Sequence, residues 1–319
     1  EPVKKVAEAE KICLNLIKKY NVYLIAIGNG TASRESEQFV SELVKKNNLD
    51  VKYTLVSEAG ASVYSASENA RNEFPDLHVE ERSAVSIARR VLDPLSELIK
   101  IDPRSIGVGQ YQHDLPTKEL DEKLDFTVLK TVNRVGVDLN TASKELLEHI
   151  SGLNKSSANE IVNYRNENGL FSNRSELKKV NKIGAKAFQQ AAGFLRIKDG
   201  KEALDMTSIH PESYKLAKNI LLEHKGLALG SEELKEALAN DDVKTLASKY
   251  ESDVYTVSDI IKNLSEPLRD YRDDYTGPIL KSDKLDINNL SIGEKLQGVV
   301  RNVVDFGAFV DIGLHDDGL

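Results

Sequence analysis

Apolar and polar positions divide the chain into a layered beginning, a helical middle and a strand-like end. In residues 5–19 apolar residues recur at helical spacing. The run NVYLIAIG (21–28) is almost wholly apolar and ends at Gly-Asn-Gly, the pattern of a strand covered on both faces. SRESEQFVSELVKKNN predicts a helix, DVKYTLVS a second strand and ASVYSASENARNEF a helix. EERSAVSIARRVLDPLSELI predicts one more, ended or interrupted near Pro94. This alternation implies an α/β layer, although two strands are few for a sheet and the first domain reads as incomplete. From about residue 105 strand signals vanish, and DFTVLKTVNRVGV, TASKELLEHI and SANEIVNYRNEN read as short helices. SNRSELKKV begins with residues suited to a helix N-cap. HPESYKLAKNILLEH, SEELKEALAN, DVKTLASKY and TVSDIIKNL continue as small helices, and SEPLRDYRDDYTGPIL reads as an extended connector. KLQGVVRNVVDFGAFVDIG then restores alternation, with Gly298 and Gly307 marking bends. The fold class is mainly α with α/β.

A repeat of 30 residues lies in the helical middle. Ile150-Ser151-Gly152-Leu153-Asn154 aligns with Val180-Asn181-Lys182-Ile183-Gly184, and Leu147 with Leu177. Each copy sets an apolar residue between two turn positions and keeps one of the two glycines that a helix-hairpin-helix turn favours. Glycine takes positive φ without penalty and Asn154 tolerates it, whereas Lys182 is a less easy substitute. Such a turn is expected to leave backbone N–H groups facing outward at the start of the next helix, where the helix dipole favours a phosphate. Gly152, Leu153, Asn154, Lys155, Ser156 and Arg165 form the candidate set in the first copy, with Lys182, Gly184 and Lys186 in the second. Contacts of this kind hold a backbone without reading bases. The second copy is the more structural of the two, because Ala187, Phe188, Ala191 and Leu195 have core spacing.

Charge changes the picture by its distribution. The net charge is −8, which alone argues against a nucleic-acid partner, yet residues 130–198 hold 12 Lys and Arg against 6 Asp and Glu. A basic block among acidic segments suits one module that meets phosphates while the others stay soluble. The single cysteine, Cys13, sits in an amphipathic run and excludes an internal disulfide. No window approaches a membrane span and the charged start is unlike a signal region, so a cytoplasmic chain without a membrane partner is expected. The six histidines are scattered, so neither a metal nor a cofactor is expected.

At the end of the chain, Phe306 and Phe309 flank Gly307, with Arg301 on the preceding strand, as stacking platforms for bases. VVDFGAFVDIGLHDDGL resembles the opening of an S1 RNA-binding domain. With IGNGTASRE, SEAGASVYSASE, RSAVSIARR, SIGVGQYQHD, VGVDLNTAS, AAGFLRI and HPESY, it resembles the Tex family of bacterial transcription accessory proteins through nearly the whole chain. The resemblance implies a partial RNase H-like (YqgF) domain over 1–104 and a helical region with tandem helix-hairpin-helix motifs over 105–200. It further implies a helical connecting domain over 201–286 and the start of an S1 barrel of the OB type over 287–319. Family members are longer, and this chain reads as lacking their N-terminal region and most of the S1 domain.

RNase H-like nucleases bring several carboxylates together around paired metal ions. Glu58 follows the second strand where one such acid would lie, and Glu80 and Glu81 open a later helix near another, but Arg82-Ser83 follow where active relatives tend to carry Asp. Glu58 is therefore a vestigial candidate, read first as an acid at a helix N-terminus. Asn29, Gly30 and Thr31 read as an ordinary strand-to-helix turn with a cap, and YQHD (111–114) as a packed loop. The function expected is a non-catalytic nucleic-acid-binding transcription accessory factor, with RNA or DNA as partner. The alternatives are a metal-dependent structure-selective nuclease and a scaffold whose acidic helical region docks RNA polymerase or ribosome components.

Overall fold

The computed structural model describes residues 5–107, 109, 112–268, 270, 272, 280, 291–296, 298–312 and 318–319. The chain divides into two compact units, one of residues 1–107 with 277–319 and the other of 108–276.

In the first unit α1 (Val6–Tyr20) leads into β1 (Leu24–Gly28), α2 (Ser33–Lys46) and β2 (Lys52–Val56). β1 and β2 pair in parallel, Ile25 opposite Tyr53 and Ile27 opposite Leu55. A parallel pair needs a crossover, and α2 supplies it, packing Val40, Leu43 and Val44 into a core with Ile17, Ile27 and Tyr53. β1 is only partly covered, with Ile27 its one buried residue, so the two-faced burial suggested by its apolar run is not met. The segment expected as one helix after β2 is two, α3 (Ala61–Ala66) and α4 (Glu68–Glu73), because the extended Ser67 breaks it and caps α4 by accepting from Ala70 N–H. α5 (Val79–Leu92) ends at Asp93, and Pro94 starts α6 (Pro94–Leu98) under the Asp93 cap, as the proline predicted. α5 buries a polar stripe at successive turns, Arg82, Ser86 and Arg90.

The second unit begins with α7 (Thr117–Val135), a single helix of 19 residues, longer than the short one expected from DFTVLKTVNRVGV. It stops at Gly136, whose φ of 71° suits glycine. Two short strands missed by the sequence pattern come next, β3 (Val137–Asp138) and β4 (Leu195–Arg196), paired in parallel. They bracket α8 (Lys144–Glu148), α9 (Lys155–Asn168), a 3₁₀ turn (Arg174–Lys179) and α10 (Ala185–Ala191). The 3₁₀ turn replaces the helix expected from SNRSELKKV, and Asn173 makes no capping hydrogen bond with its side chain. Arg174, 1% exposed, bolts this hairpin region to the segment beyond β4. Its guanidinium donates to the carbonyls of Leu195 (2.5 Å), Ile209 (2.8 Å) and Thr207 and to the Tyr214 hydroxyl (2.8 Å), while Asp205 accepts from its backbone N–H (2.7 Å). Past this joint α11 (Tyr214–Glu223), α12 (Glu232–Ala239), α13 (Val243–Lys249) and α14 (Val254–Ser265) close around Ala217, Ile220, Leu234, Val257 and Leu264.

Most of the expected connector after α14 lies outside the described residues. Near the chain's end β5 (Val299–Val304) and β6 (Gly307–Asp311) form an antiparallel hairpin, with an irregularity between Val300 and Asn302.

Candidate nucleic-acid interface

The first hairpin is α8, a turn and α9. Ser143 caps α8, Gly152 turns the chain at φ 85°, and Leu153 N–H donates to the Ile150 carbonyl (2.9 Å). Asn154 does not occupy the left-handed region expected of it. It is extended (φ −145°, ψ 174°) and caps α9, accepting from Ser156 N–H (2.9 Å) and Ser157 N–H (3.0 Å), while the Ser157 hydroxyl accepts from Asn154 N–H (2.9 Å). The expectation of outward-facing donors is thus corrected here, since three of these amides are bonded within the chain, while Asn154, Lys155 and Ser156 are exposed. Arg165 is corrected too. It points inward and donates to the carbonyls of Leu139 and Ala142, both at 3.1 Å, and burial pulls its pKa down against a nearby Asp138 that raises it.

The second hairpin has the open amides. Lys182 adopts φ 66°, so the less easy substitute does take the glycine-like conformation, and Ile183 N–H donates to the Val180 carbonyl (3.2 Å). Gly184 caps α10 with φ −80° and ψ 174°, a conformation open to any residue, but it brings no side chain to accept hydrogen bonds. Among the described residues nothing accepts from the N–H groups of Ala185, Lys186 and Ala187. Lys182 and Lys186 are exposed, and Lys178 lies over the Phe188 ring at 4.6 Å. Phe188, Ala191 and Leu195 are buried as their spacing predicted, and the same copy presents three N–H groups without an acceptor among the described residues.

The turns also touch each other's helices. A Cβ on Gly152 would stand 2.7 Å from Gln190 Cβ and 3.0 Å from the Ala187 carbonyl. Lys182 Nζ lies 2.8 Å from Ser156 Oγ and 3.7 Å from a Glu160 carboxylate oxygen. Of the basic block, Arg165 and Arg174 serve internal contacts and Arg196 donates to Ser208 Oγ (2.6 Å), while Lys155, Lys178, Lys179, Lys182, Lys186 and Lys198 remain exposed.

On the terminal hairpin Phe306 is 74% exposed and meets the half-buried Phe309 edge to face at 6.3 Å. Arg301 lies on β5, with its side chain outside the described residues.

The residues about Glu58 do not fit a paired-metal site. Its carboxylate rests on the Gly28–Gly30 turn, where a Cβ on Gly30 would collide with it, and its N–H donates to Asn29 Oδ1 (3.1 Å). It thus packs on the turn after β1, which corrects its reading as an acid at the start of its own helix. The Arg90 guanidinium donates to the carbonyls of Ser57 (2.7 Å) and Ala59 (2.9 Å) on either side of it. Glu81 accepts from His78 N–H (2.7 Å) and caps α5. The cap expected from Asn29–Thr31 is absent, because Ala32, at φ 105°, precedes α2 without a capping side chain. Gln112–Asp114 form a 3₁₀ turn, and Tyr111 lies outside the described residues. Among the described residues no three His, Cys, Asp or Glu side chains gather to hold a metal, and no helix is long and apolar enough to cross a membrane.

Fold and sequence together define a mainly helical chain with an α/β YqgF-like unit and helix-hairpin-helix modules. Residues 1–92 match the Tex protein YqgF-like domain, 132–196 a helix-hairpin-helix motif and 202–272 a further HHH domain. The chain is 53% identical to the uncharacterized protein YdcI of Bacillus subtilis, over 100% of this chain and 44% of that one. It is 50% identical to the transcriptional accessory protein Tex of Neisseria gonorrhoeae (95% and 40%) and 40% identical to the human S1 RNA-binding domain-containing protein 1 (98% and 37%). Over nearly its whole length the chain is thus similar to proteins named for Tex, and it carries their YqgF-like domain. It spans less than half the length of each of these relatives.

Proposed function

We propose that this chain binds the sugar-phosphate backbone of RNA or DNA without reading its sequence, as the nucleic-acid-holding part of a transcription accessory factor, and performs no catalysis itself. The observation that carries the reading is the start of α10, where the N–H groups of Ala185, Lys186 and Ala187 have no acceptor among the described residues and Lys182 and Lys186 stand beside them. Unsatisfied donors at a helix start favour an anion, and mobile lysines add attraction without base preference. Lys155 and Ser156 on the first hairpin extend this surface through side chains, and exposed Phe306 offers a face for stacking. The name of the gonococcal relative supports the transcriptional setting. RNA polymerase or ribosome components as protein partners belong to the same proposal.

The test is anisotropy of labelled single-stranded RNA, single-stranded DNA and duplex DNA across a salt series. Each phosphate contact contributes about 0.7–0.9 to the slope of log K against log salt, so Lys186→Gln is expected to reduce that slope by about this amount for every sequence tried. An unchanged slope with unchanged affinity would remove the second hairpin from the binding surface.

A further inference from the structure

The two contacts between the hairpin turns and the opposite helices are the same contact made twice. Adding the 30-residue offset to Gly152 and Glu160 gives Lys182 and Gln190, so the pair Gly152/Gln190 and the pair Lys182/Glu160 occupy equivalent places. In one half the turn residue is a bare glycine packed against Gln190; in the other it is a lysine whose ammonium reaches Ser156 Oγ (2.8 Å) and Glu160 (3.7 Å). A neutral pair on one side is thus replaced by a charged pair on the other. Lys182 holds φ 66° despite its Cβ, a conformation that glycine would take freely. Glu160 is partly exposed, with a side chain 23% accessible, so an arriving phosphate would meet its charge.

From this pairing we infer that Glu160 gates the second hairpin: it draws the Lys182 ammonium across onto α9 in the free protein and gives it up when a phosphate takes its place. Glu160 is a positioning residue that sets how tightly the backbone is held, and it rests on the binding surface proposed above. A phosphate and a carboxylate compete for one ammonium group, and α9 offers Ser156 as a second, neutral tether from which the lysine can swing. Every nucleic-acid contact through Lys182 therefore includes the loss of its intramolecular partner. Removing the carboxylate abolishes that loss and the repulsion of phosphate together, and a mutant cycle separates the two.

The experiment measures the affinity of the full chain for a labelled single-stranded oligonucleotide at two salt concentrations, with Glu160→Gln, Lys182→Gln, the double variant and Lys186→Gln. Thermal unfolding of each variant verifies that it is folded. Glu160→Gln is expected to tighten binding about two- to fivefold, the range of an exposed ion pair, and to lose most of that gain in the Lys182→Gln background. Equal tightening in both backgrounds would overturn the gate and leave only general repulsion, and unchanged or weakened binding by Glu160→Gln would overturn it as well. If Lys182→Gln and Lys186→Gln both leave affinity unchanged, the binding surface itself fails. If they weaken binding but the cycle shows no coupling, only the gate fails.

Discussion

Asn154 and Gly184 hold equivalent places in the repeat, and the difference between an amide side chain and none decides what each hairpin can bind. Asn154 satisfies two amides of α9 that a phosphate would otherwise meet, whereas Gly184 leaves those of α10 open. Asn154→Ala is expected to cost about 1 kcal/mol of stability through the lost cap, measured by urea unfolding. Gly152 is constrained twice, by φ 85° and by a Cβ position 2.7 Å from Gln190. Gly152→Ala is therefore expected to destabilise by more than the roughly 1–2 kcal/mol of the left-handed conformation alone, and to weaken binding only by loosening the fold. A melting temperature equal to that of the unsubstituted chain would contradict this. The Asn154 cap was legible in principle, since Asn154 followed three residues on by Ser157 is a capping pattern, but reading the asparagine as a substitute for glycine hid it. Arg165 was not legible, because its acceptors lie 26 and 23 residues away and nothing local reveals its direction.

Elements are joined by buried polar groups as much as by apolar packing. Arg174 links the 3₁₀ turn to β4 and to the segment that starts the last helical bundle. Burial lowers its pKa while Tyr214 and Asp205 oppose the shift. Arg174→Ala would strand the carbonyls of Leu195, Ile209 and Thr207 and leave the buried Asp205 carboxylate without its nearby positive charge, and a loss of about 3–5 kcal/mol is expected in denaturant unfolding. In the first unit Glu73 gathers Tyr64 (2.5 Å), Arg89 (2.5 Å) and Lys100 (3.1 Å), tying α3, α4 and α5 together. Burial pushes the Glu73 carboxyl up, but hydrogen bonds from Tyr64, Arg89 and Lys100 outweigh it and hold its pKa below the ordinary value. A depressed carboxylate stabilises the fold above its unfolded pKa and loses that contribution as pH falls through its folded one. Stability is therefore expected to decline as pH drops below about 4.5, and Glu73→Gln to flatten that decline in thermal melts taken between neutral and acid pH. Periodicity revealed α1, α2, α5, α9 and the last four helices, whose apolar faces are continuous. It missed β3 and β4, which are two residues each and exist only because distant segments meet.

For the whole molecule, phosphate contacts and base stacking are separable by salt. Phe306→Ala is expected to weaken binding of single strands by about 1–3 kcal/mol without altering the salt slope, whereas lysine variants on the second hairpin alter the slope. Equal effects on both quantities would place Phe306 in the fold of its hairpin instead. The amino-acid sequence by itself determined most of the longer helices and the first strand pair, the 30-residue repeat with its buried Leu147/Leu177 and Ile150/Val180 pairs, and the concentration of positive charge around it. Those arise from apolar spacing and residue type, which act locally. Which amides stay open, which arginines turn inward and which lysine meets Glu160 were decided only by the tertiary structure, because a polar group bonds to whichever partner the fold brings within about 3 Å.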